Sequence, residues 1–358
     1  MAICPPSRVC CTAGSGTYLR YREAVKRGAC ASSGRSFPRR QTCPRPPYFE
    51  QVPTLSVQAP VQPDKFVQVA LEAEALGVER LLLPDHPGSA ASPFPLLGAA
   101  AAVTSTLGLG TYVLNAGVRH PALVAADVAT LDALSGGRAT VGVGAGHTPA
   151  EWALVGKPYP SARRRVDRLG EFLDIMQRLL APAIEPVTYR GEHFTVEGAL
   201  LQSPRPIQQP VPLLLGGNGD RVLRLAGERA DVVSLSGFGR TLSDGHSHEV
   251  MWREPDVARK VEQVRAGAVG RTSTPVIEVL VQHVEETTDR RTAAQALADD
   301  ISGLDNTTAL ETPFLLIGTR AQIAEQMDSW QDRLGITSWV VRTPHMRLMA
   351  EIRAAYRR

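Results

Sequence analysis

The chain has 358 residues, 43% of them hydrophobic and 21% charged. That is the composition of a globular protein long enough to bury a full core, not of a disordered one. No apolar run approaches the roughly 18 residues a membrane helix needs, so no membrane partner is expected. The formal net charge of +3 is unevenly placed: nine of the 39 Lys+Arg and two of the 36 Asp+Glu lie in residues 1–50, leaving 30 basic against 34 acidic. The main body therefore gives no electrostatic case for a nucleic-acid partner.

All five cysteines (Cys4, Cys10, Cys11, Cys30 and Cys43) also precede residue 44. Residues 1–50 show no periodicity and are rich in Arg, Ser, Pro and Gly. A targeting peptide fits that composition, whereas the cysteines lack the CxxC spacing of a zinc site. Arg39-Arg40 is not followed by an apolar segment, which argues against twin-arginine export. The segment is read as a low-complexity basic, disordered extension. The body, residues 51–358, is free of cysteine and fits a reducing cytoplasm.

From Thr54 a regular alternation begins. Leu55–Ala59 reads as a strand, and Lys65–Leu76 as a helix closed by Gly77. Arg80–Leu83 is a second strand ending in Pro84-Asp85-His86-Pro87-Gly88, followed by a helix over about 95–105. A strand over Leu109–Leu114 leads to His120-Pro121, which opens a helix to Leu134. Ser135-Gly136-Gly137-Arg138 turns the chain into an apolar strand, Ala139–Val143, with a glycine-rich exit carrying His147. The helix Ala162–Leu180 and a hairpin over 186–206 come next.

Strands at Val211–Leu215 and Asp231–Leu235 flank a helix at Asp220–Glu228. A loop with His246 and His248 precedes a helix over about 255–268. Val276–Val281 is a strand, 289–311 is helical, Arg320–Leu334 is a helix, Ile336–Val341 is the last strand, and a helix closes the chain. Eight strands, each followed by helical sequence, predict a closed (β/α)8 barrel. A doubly wound sheet is disfavoured, because no GxGxxG follows the first strand.

In such a barrel the chemistry sits at the C-terminal strand ends. Strand two delivers Asp85 and His86, whose imidazole titrates near neutrality. Strand three delivers Asn115, Arg119 and His120; strand four delivers Gly144, Gly146, His147 and Trp152. Strand five runs through Gly216, Gly217, Asn218 and Gly219 into a helix, an anion site of free backbone N–H groups. Arg163, Arg164, Arg165 and Arg168 open the long helix, either as a solvated face or toward a polyanionic cofactor tail. His246 and His248 lack carboxylate spacing, so no metal site is expected. GxSxG, HExxH and P-loop motifs are absent, which removes hydrolase and nucleoside-triphosphatase readings.

Pro84-Asp85-His86, Arg119-His120-Pro121, LDALSGGRATVGVGAG at 131–146 and LLLGGNGDRVLRLAGERAD at 213–231 together resemble the luciferase-like monooxygenase superfamily. More narrowly they resemble its coenzyme F420-dependent oxidoreductase branch. The resemblance runs from about residue 54 to the C-terminus. It implies a bacterial luciferase-like TIM barrel with insertions and a flavin-type ring across its mouth.

The resemblance further implies His86 as acid/base beside Asp85, a non-prolyl cis peptide at Tyr112-Val113 behind the ring, and Asn115 at the ring edge. Gly144 and Gly146 match close approach to the cofactor, and Gly216-Gly217 its phosphate contacts. Two departures stand out: histidine occupies position 147, where some F420-dependent sugar-phosphate dehydrogenases carry a glutamate, and Pro87-Gly88-Ser89 replaces a family tryptophan. The expected activity is hydride transfer between F420 and a small organic substrate, with His86 and His147 moving protons. The alternatives are an FMN-dependent monooxygenase with a flavin reductase partner, and a non-catalytic flavin-binding barrel. Homodimerisation is the family habit.

Overall fold

The computed structural model describes residues 53–59, 62–241 and 248–356. The expected extension over residues 1–50, with its five cysteines, lies outside the described residues, as do His246 and the side chain of His248.

In chain order the strands are β1 (Thr54–Gln58), β2 (Arg80–Leu83), β3 (Gly108–Thr111), β4 (Leu114–Asn115), β5 (Ala139–Gly144), β6 (Val187–Arg190) and β7 (Thr195–Ala199). They continue with β8 (Leu213–Gly216), β9 (Val232–Leu235), β10 (Phe238–Thr241), β11 (His248–Val250), β12 (Val276–Leu280), β13 (His283–Glu286), β14 (Leu315–Gly318) and β15 (Ile336–Arg342). Strands β1, β2, β3, β5, β8, β9, β12 and β15 pair in parallel, and β3 closes onto β5. The result is the expected eight-stranded (β/α)8 barrel. The strands are near-continuous apolar runs because both faces are covered: all six residues of β5 are buried. Inside the barrel Leu82, Tyr112, Leu214, Leu280 and Val340 meet, while the outward residues pack under the helices.

Nearer the N-terminal strand ends the interior is polar. The Arg80 guanidinium contacts the buried Glu278 carboxylate, and Ser338 Oγ donates to Glu278 Oε2 at 2.7 Å. Burying that carboxylate is tolerable only because both neighbours supply charge-assisted hydrogen bonds.

The Leu131–Arg138 segment is a clamp at the same end of the barrel. The helix Pro121–Ser135 ends in the left-handed Gly136 (φ 74°). Asp132, fully buried, accepts from the Ile207 and Gln208 amides at 2.6 and 2.9 Å, which fixes the approach to β8. Arg138 donates to the Ser135 and Thr104 carbonyls at 2.6 and 2.9 Å and anchors the helix Pro93–Val103. Much of the motif thus secures the barrel wall, and only its glycine-rich exit reaches the mouth.

Besides an antiparallel pair, β10–β11, within the stretch expected as a loop, the structure differs from expectation in four places. The third strand is interrupted by a cis Tyr112-Val113 bond and resumes as the two-residue β4. The helical region 289–311 is two helices, Arg290–Asp300 and Asn306–Glu311, because Asp305 caps a fresh start by accepting from Thr308 N at 2.8 Å. The parallel pair β13–β14 was not anticipated; its alternation is too short to stand out from sequence. Nor was the six-residue helix Pro149–Leu154, which matters most for the site.

Candidate active site

Four loops at the C-terminal mouth supply the site. Beyond β2, Asp85 and His86 are adjacent in sequence but diverge. Asp85 is buried and takes a two-pronged bond from Arg119, Nη2 to Oδ1 at 2.6 Å and Nε to Oδ2 at 3.0 Å. Its Oδ2 also faces the Asn115 amide at 3.4 Å. Asp85 therefore ties the loop after β2 to the loop after β4, and its charge is spent there.

His86 turns the other way. Its Nδ1 lies 2.8 Å from Glu151 Oε1, and the side chain remains 43% exposed against 5% for Glu151. A carboxylate can only accept, so Nδ1 carries the hydrogen and Nε2 is the ring nitrogen that Glu151 does not engage. The hydrogen bond to Glu151 raises the His86 pKa above its usual value, against a desolvation that pulls it down.

Glu151 opposes a desolvation that would raise it: bonds from His86 and from Asn115 Nδ2, the latter at 2.6 Å, hold its carboxyl below the usual range. Asn115 Oδ1 accepts from Gly117 N at 2.8 Å. Asn115 thus points at Glu151, and a Cβ built on Gly146 would lie 1.9 Å from Asn115 Oδ1, so this glycine (φ 77°) leaves room for that amide.

His147 stands edge-on to His86 with ring centroids 6.2 Å apart, and its carbonyl accepts from Tyr159 Oη at 2.9 Å. Trp152, buried, packs so tightly that a Cβ on Gly117 would sit 2.0 Å from its Cζ2.

The remaining expected residues divide into two groups. The Tyr112 phenol reaches inward to Ser234 and is pushed up in pKa by burial and then by the Glu278 charge, so only its backbone faces the mouth. Val113 occupies the gap between Gly144 and Gly216, where added Cβ atoms would meet it at 2.8 and 3.2 Å. The close approach expected at these glycines is thus made first by a neighbouring strand. At the β8 exit, Gly217 packs on Val222. Gly219 opens on free space at the start of the helix Asp220–Arg229, which has no side-chain cap. Asn218 Nδ2 donates to Ser236 Oγ at 2.9 Å, while its Oδ1 is buried with no partner among the described residues.

The arginine run separates. Arg164 pairs with Glu192 at 2.6 Å on the surface, and Arg165 lies over the Tyr159 ring at 4.4 Å. Among the described residues no group of three or more metal-binding side chains forms. None of their helices is long and apolar enough to cross a membrane.

Glu151 is the residue that sequence reasoning missed. Its signal was present: Thr148-Pro149 is an N-cap and first-turn proline, with Glu151 three residues after Thr148 as in a capping box. The carboxylate bonds His86 instead of the helix start, a choice only the fold reveals.

The profile of the luciferase-like monooxygenase family matches residues 49–337. The chain belongs to the luciferase-like monooxygenase family.

Within that family the chain is 38% identical over 179 residues to an F420-dependent glucose-6-phosphate dehydrogenase of Beutenbergia cavernae, covering 48% of this chain and 52% of the relative. It is 35% identical over 189 residues to the enzyme of that name from Kineococcus radiotolerans, covering 50% and 55%. The chain thus spans about half the length of the curated relatives it matches. Among solved structures, the coenzyme F420-dependent tetrahydromethanopterin reductase of Methanopyrus kandleri superposes with a TM-score of 0.68 at 20% identity, over 86% of this chain and 99% of that one. The long-chain alkane monooxygenase LadA gives 0.68 at 16%, over 86% and 92%. At these identities the likeness is one of fold, which the luciferase-like family shares.

Proposed function

We propose that this luciferase-like barrel is an F420-dependent oxidoreductase acting on a small organic substrate, with His86 as its proton-handling residue. The observation that carries the reading is the chain Asn115–Glu151–His86, which ends on an exposed imidazole at the barrel mouth. The names of the relatives support the choice of cofactor. Glucose 6-phosphate is not carried over, because histidine stands at 147 and only half of each relative is matched.

The residues present suit a flavin-type group. The backbone of Tyr112-Val113 and the Val113 side chain, seated against Gly144 and Gly216, offer a flat apolar floor. The uncapped helix start at Gly219 and the orphaned Asn218 Oδ1 offer polar groups for the anionic side and for an N–H donor. When bound, the deazaflavin supplies or accepts the hydride. His86 exchanges a proton at Nε2 while Glu151 fixes the tautomer and stabilises the imidazolium. Asp85 holds Arg119 and thereby the loop carrying Asn115; it is a positioning residue. On this reading His147, edge-on to His86, shares the proton work.

Fluorescence titration of the full chain with oxidised F420, and separately with FMN, tests the reading. Tight F420 binding with weak FMN binding is the expected result. Preference for FMN would move the protein to oxygen chemistry with a reductase partner, and binding of neither would favour a non-catalytic barrel.

A further inference from the structure

A second concave site lies beside the mouth, between the loop after β4, the helix Ala162–Leu180 and the tip of the β6–β7 hairpin. It is a cavity of about 260 Å³ lined by Arg119, His120, Lys157, Arg168, His193 and Phe194, among others. At roughly 30 Å³ per water, that is room for a phosphate or carboxylate group with several waters.

Its charge is one-sided. Arg119 is neutralised by Asp85, but Lys157 and Arg168 form no ion pair among the described residues. Lys157 Nζ donates to the Gly117 carbonyl at 3.3 Å, and Arg168 donates to the Ala116 and His193 carbonyls at 3.3 and 3.1 Å. The Arg168 guanidinium lies 4.0 Å over the Phe194 ring, which holds it in place. Glu171, the acid one turn on, is engaged elsewhere, accepting from three backbone amides of the hairpin tip at 2.8 to 3.0 Å.

Two imidazoles add directed polarity. His120 Nδ1 accepts from Ala122 N at 3.3 Å, so in the neutral ring Nε2 carries the hydrogen. His193 Nε2 is buried with no partner among the described residues. Desolvation and then the charges of Arg168 and Lys157 depress the His120 pKa, the response of an imidazole held in a positive field. Glu171 still acts on Arg168 through its charge, but neither Lys157 nor Arg168 has an ion-paired carboxylate among the described residues, and the lining also includes His193 with its orphaned ring nitrogen, so the cavity has room for a further counter-charge from a ligand.

We propose that this pocket binds a small oxyanion, a phosphate or carboxylate group, with Lys157 and Arg168 as the charged contacts and His193 as a directional one. The anion is either free or borne on a larger ligand at the adjacent mouth.

Isothermal titration of the full chain with inorganic phosphate tests this, alongside the Lys157→Gln and Arg168→Gln variants and F420 titrations of all three proteins. Loss of one charge-assisted contact weakens phosphate binding by about tenfold in each variant. Unchanged F420 affinity then identifies a free or substrate-borne anion, whereas a parallel loss of F420 affinity identifies an anion of the cofactor. Lys157→Gln leaves the Arg168 anchors intact, so circular dichroism separates misfolding from lost binding. Absence of phosphate binding in the wild type, or wild-type affinity in both variants, overturns the proposal.

Discussion

Two of the buried carboxylates, Glu278 and Glu151, are paired differently, and the contrast between them separates structure from chemistry. Glu278, toward the N-terminal ends, and its partner Arg80 are both withdrawn from solvent, with side chains 0% and 15% exposed. Glu151, at the mouth, is as deeply buried, but its partner His86 is 43% exposed. A pair sealed on both sides holds strands together; a pair sealed on one side can pass a proton outward. Burial of charge is therefore not the functional signal. What sets Glu151 apart is a partner that is both exposed and titratable near neutrality.

The largest effect that breaks this comparison is at His86. His86→Ala is expected to lower turnover by about 10²–10⁴-fold, the range of positioned acid–base catalysis, with cofactor affinity retained. Steady-state kinetics with a parallel F420 titration measures it, and full residual activity removes His86 from the mechanism.

Glu151→Gln follows, at about 10–100-fold, the usual loss when an outer hydrogen-bond partner is removed. An amide oxygen serves His86 or Asn115 less well than a carboxylate serves both. Because the Glu151 bond raises the His86 pKa, its loss moves the histidine limb of the pH–rate profile to lower pH. The stability of the pair has a definite window. The His86 contribution is complete below its ordinary 6.5 and fades as pH rises through the raised value; the Glu151 contribution is complete above 4.5 and fades as pH falls through the lowered one. Wild type and Glu151→Gln should therefore differ most in melting temperature near pH 4.5 to 6.5 and converge on both sides. A limb that does not move separates Glu151 from His86.

Glu278→Ala reverses the pattern. Stripping one partner from a buried pair costs about 3–5 kcal/mol, a loss read by chemical denaturation. F420 affinity of the folded fraction should stay within about twofold, by the additivity of distant sites. An affinity collapse without destabilisation would erase the distinction between the two pairs.

How much of this was legible beforehand follows the same division. Strand positions are written as apolar runs and helix ends as glycine and proline, so the eight β/α units, the hairpin and the cis Tyr112-Val113 position expected from the family resemblance all match the structure. Side-chain direction is not written locally. Asp85 and His86 look like a pair in sequence, yet one faces Arg119 and the other Glu151, because a loop residue points where the fold leaves a partner. Glu151 lies 65 residues from His86 and on a helix too short to show periodicity. Glycines 144 and 216 read as room for a ligand, while their immediate neighbour is Val113.

A subtler break lies between the two regions of the mouth. Gly117→Ala places a Cβ against the Trp152 ring and must displace the short helix that carries Glu151. Overpacking of this kind costs about 1–3 kcal/mol. It should lower turnover toward the Glu151→Gln level, read by kinetics together with melting temperature. Retained turnover would mean that the helix moves without parting Glu151 from His86.

The smallest effect expected is at Asn218, where the two regions of the barrel make opposite forecasts. If its orphaned Oδ1 is a packing defect like the unpartnered Glu278 Oε1, then Asn218→Ala exchanges one hydrogen bond, to Ser236, for relief of a buried acceptor. These terms are each about 1 kcal/mol and opposed, so stability should hardly change on either view. Affinity is what separates them. If instead the acceptor serves a ligand donor, as proposed, its removal should weaken F420 binding by about three- to tenfold at constant melting temperature. Unaltered affinity would place Asn218 with the barrel wall and confine the polar recognition at this edge to the uncapped helix start at Gly219.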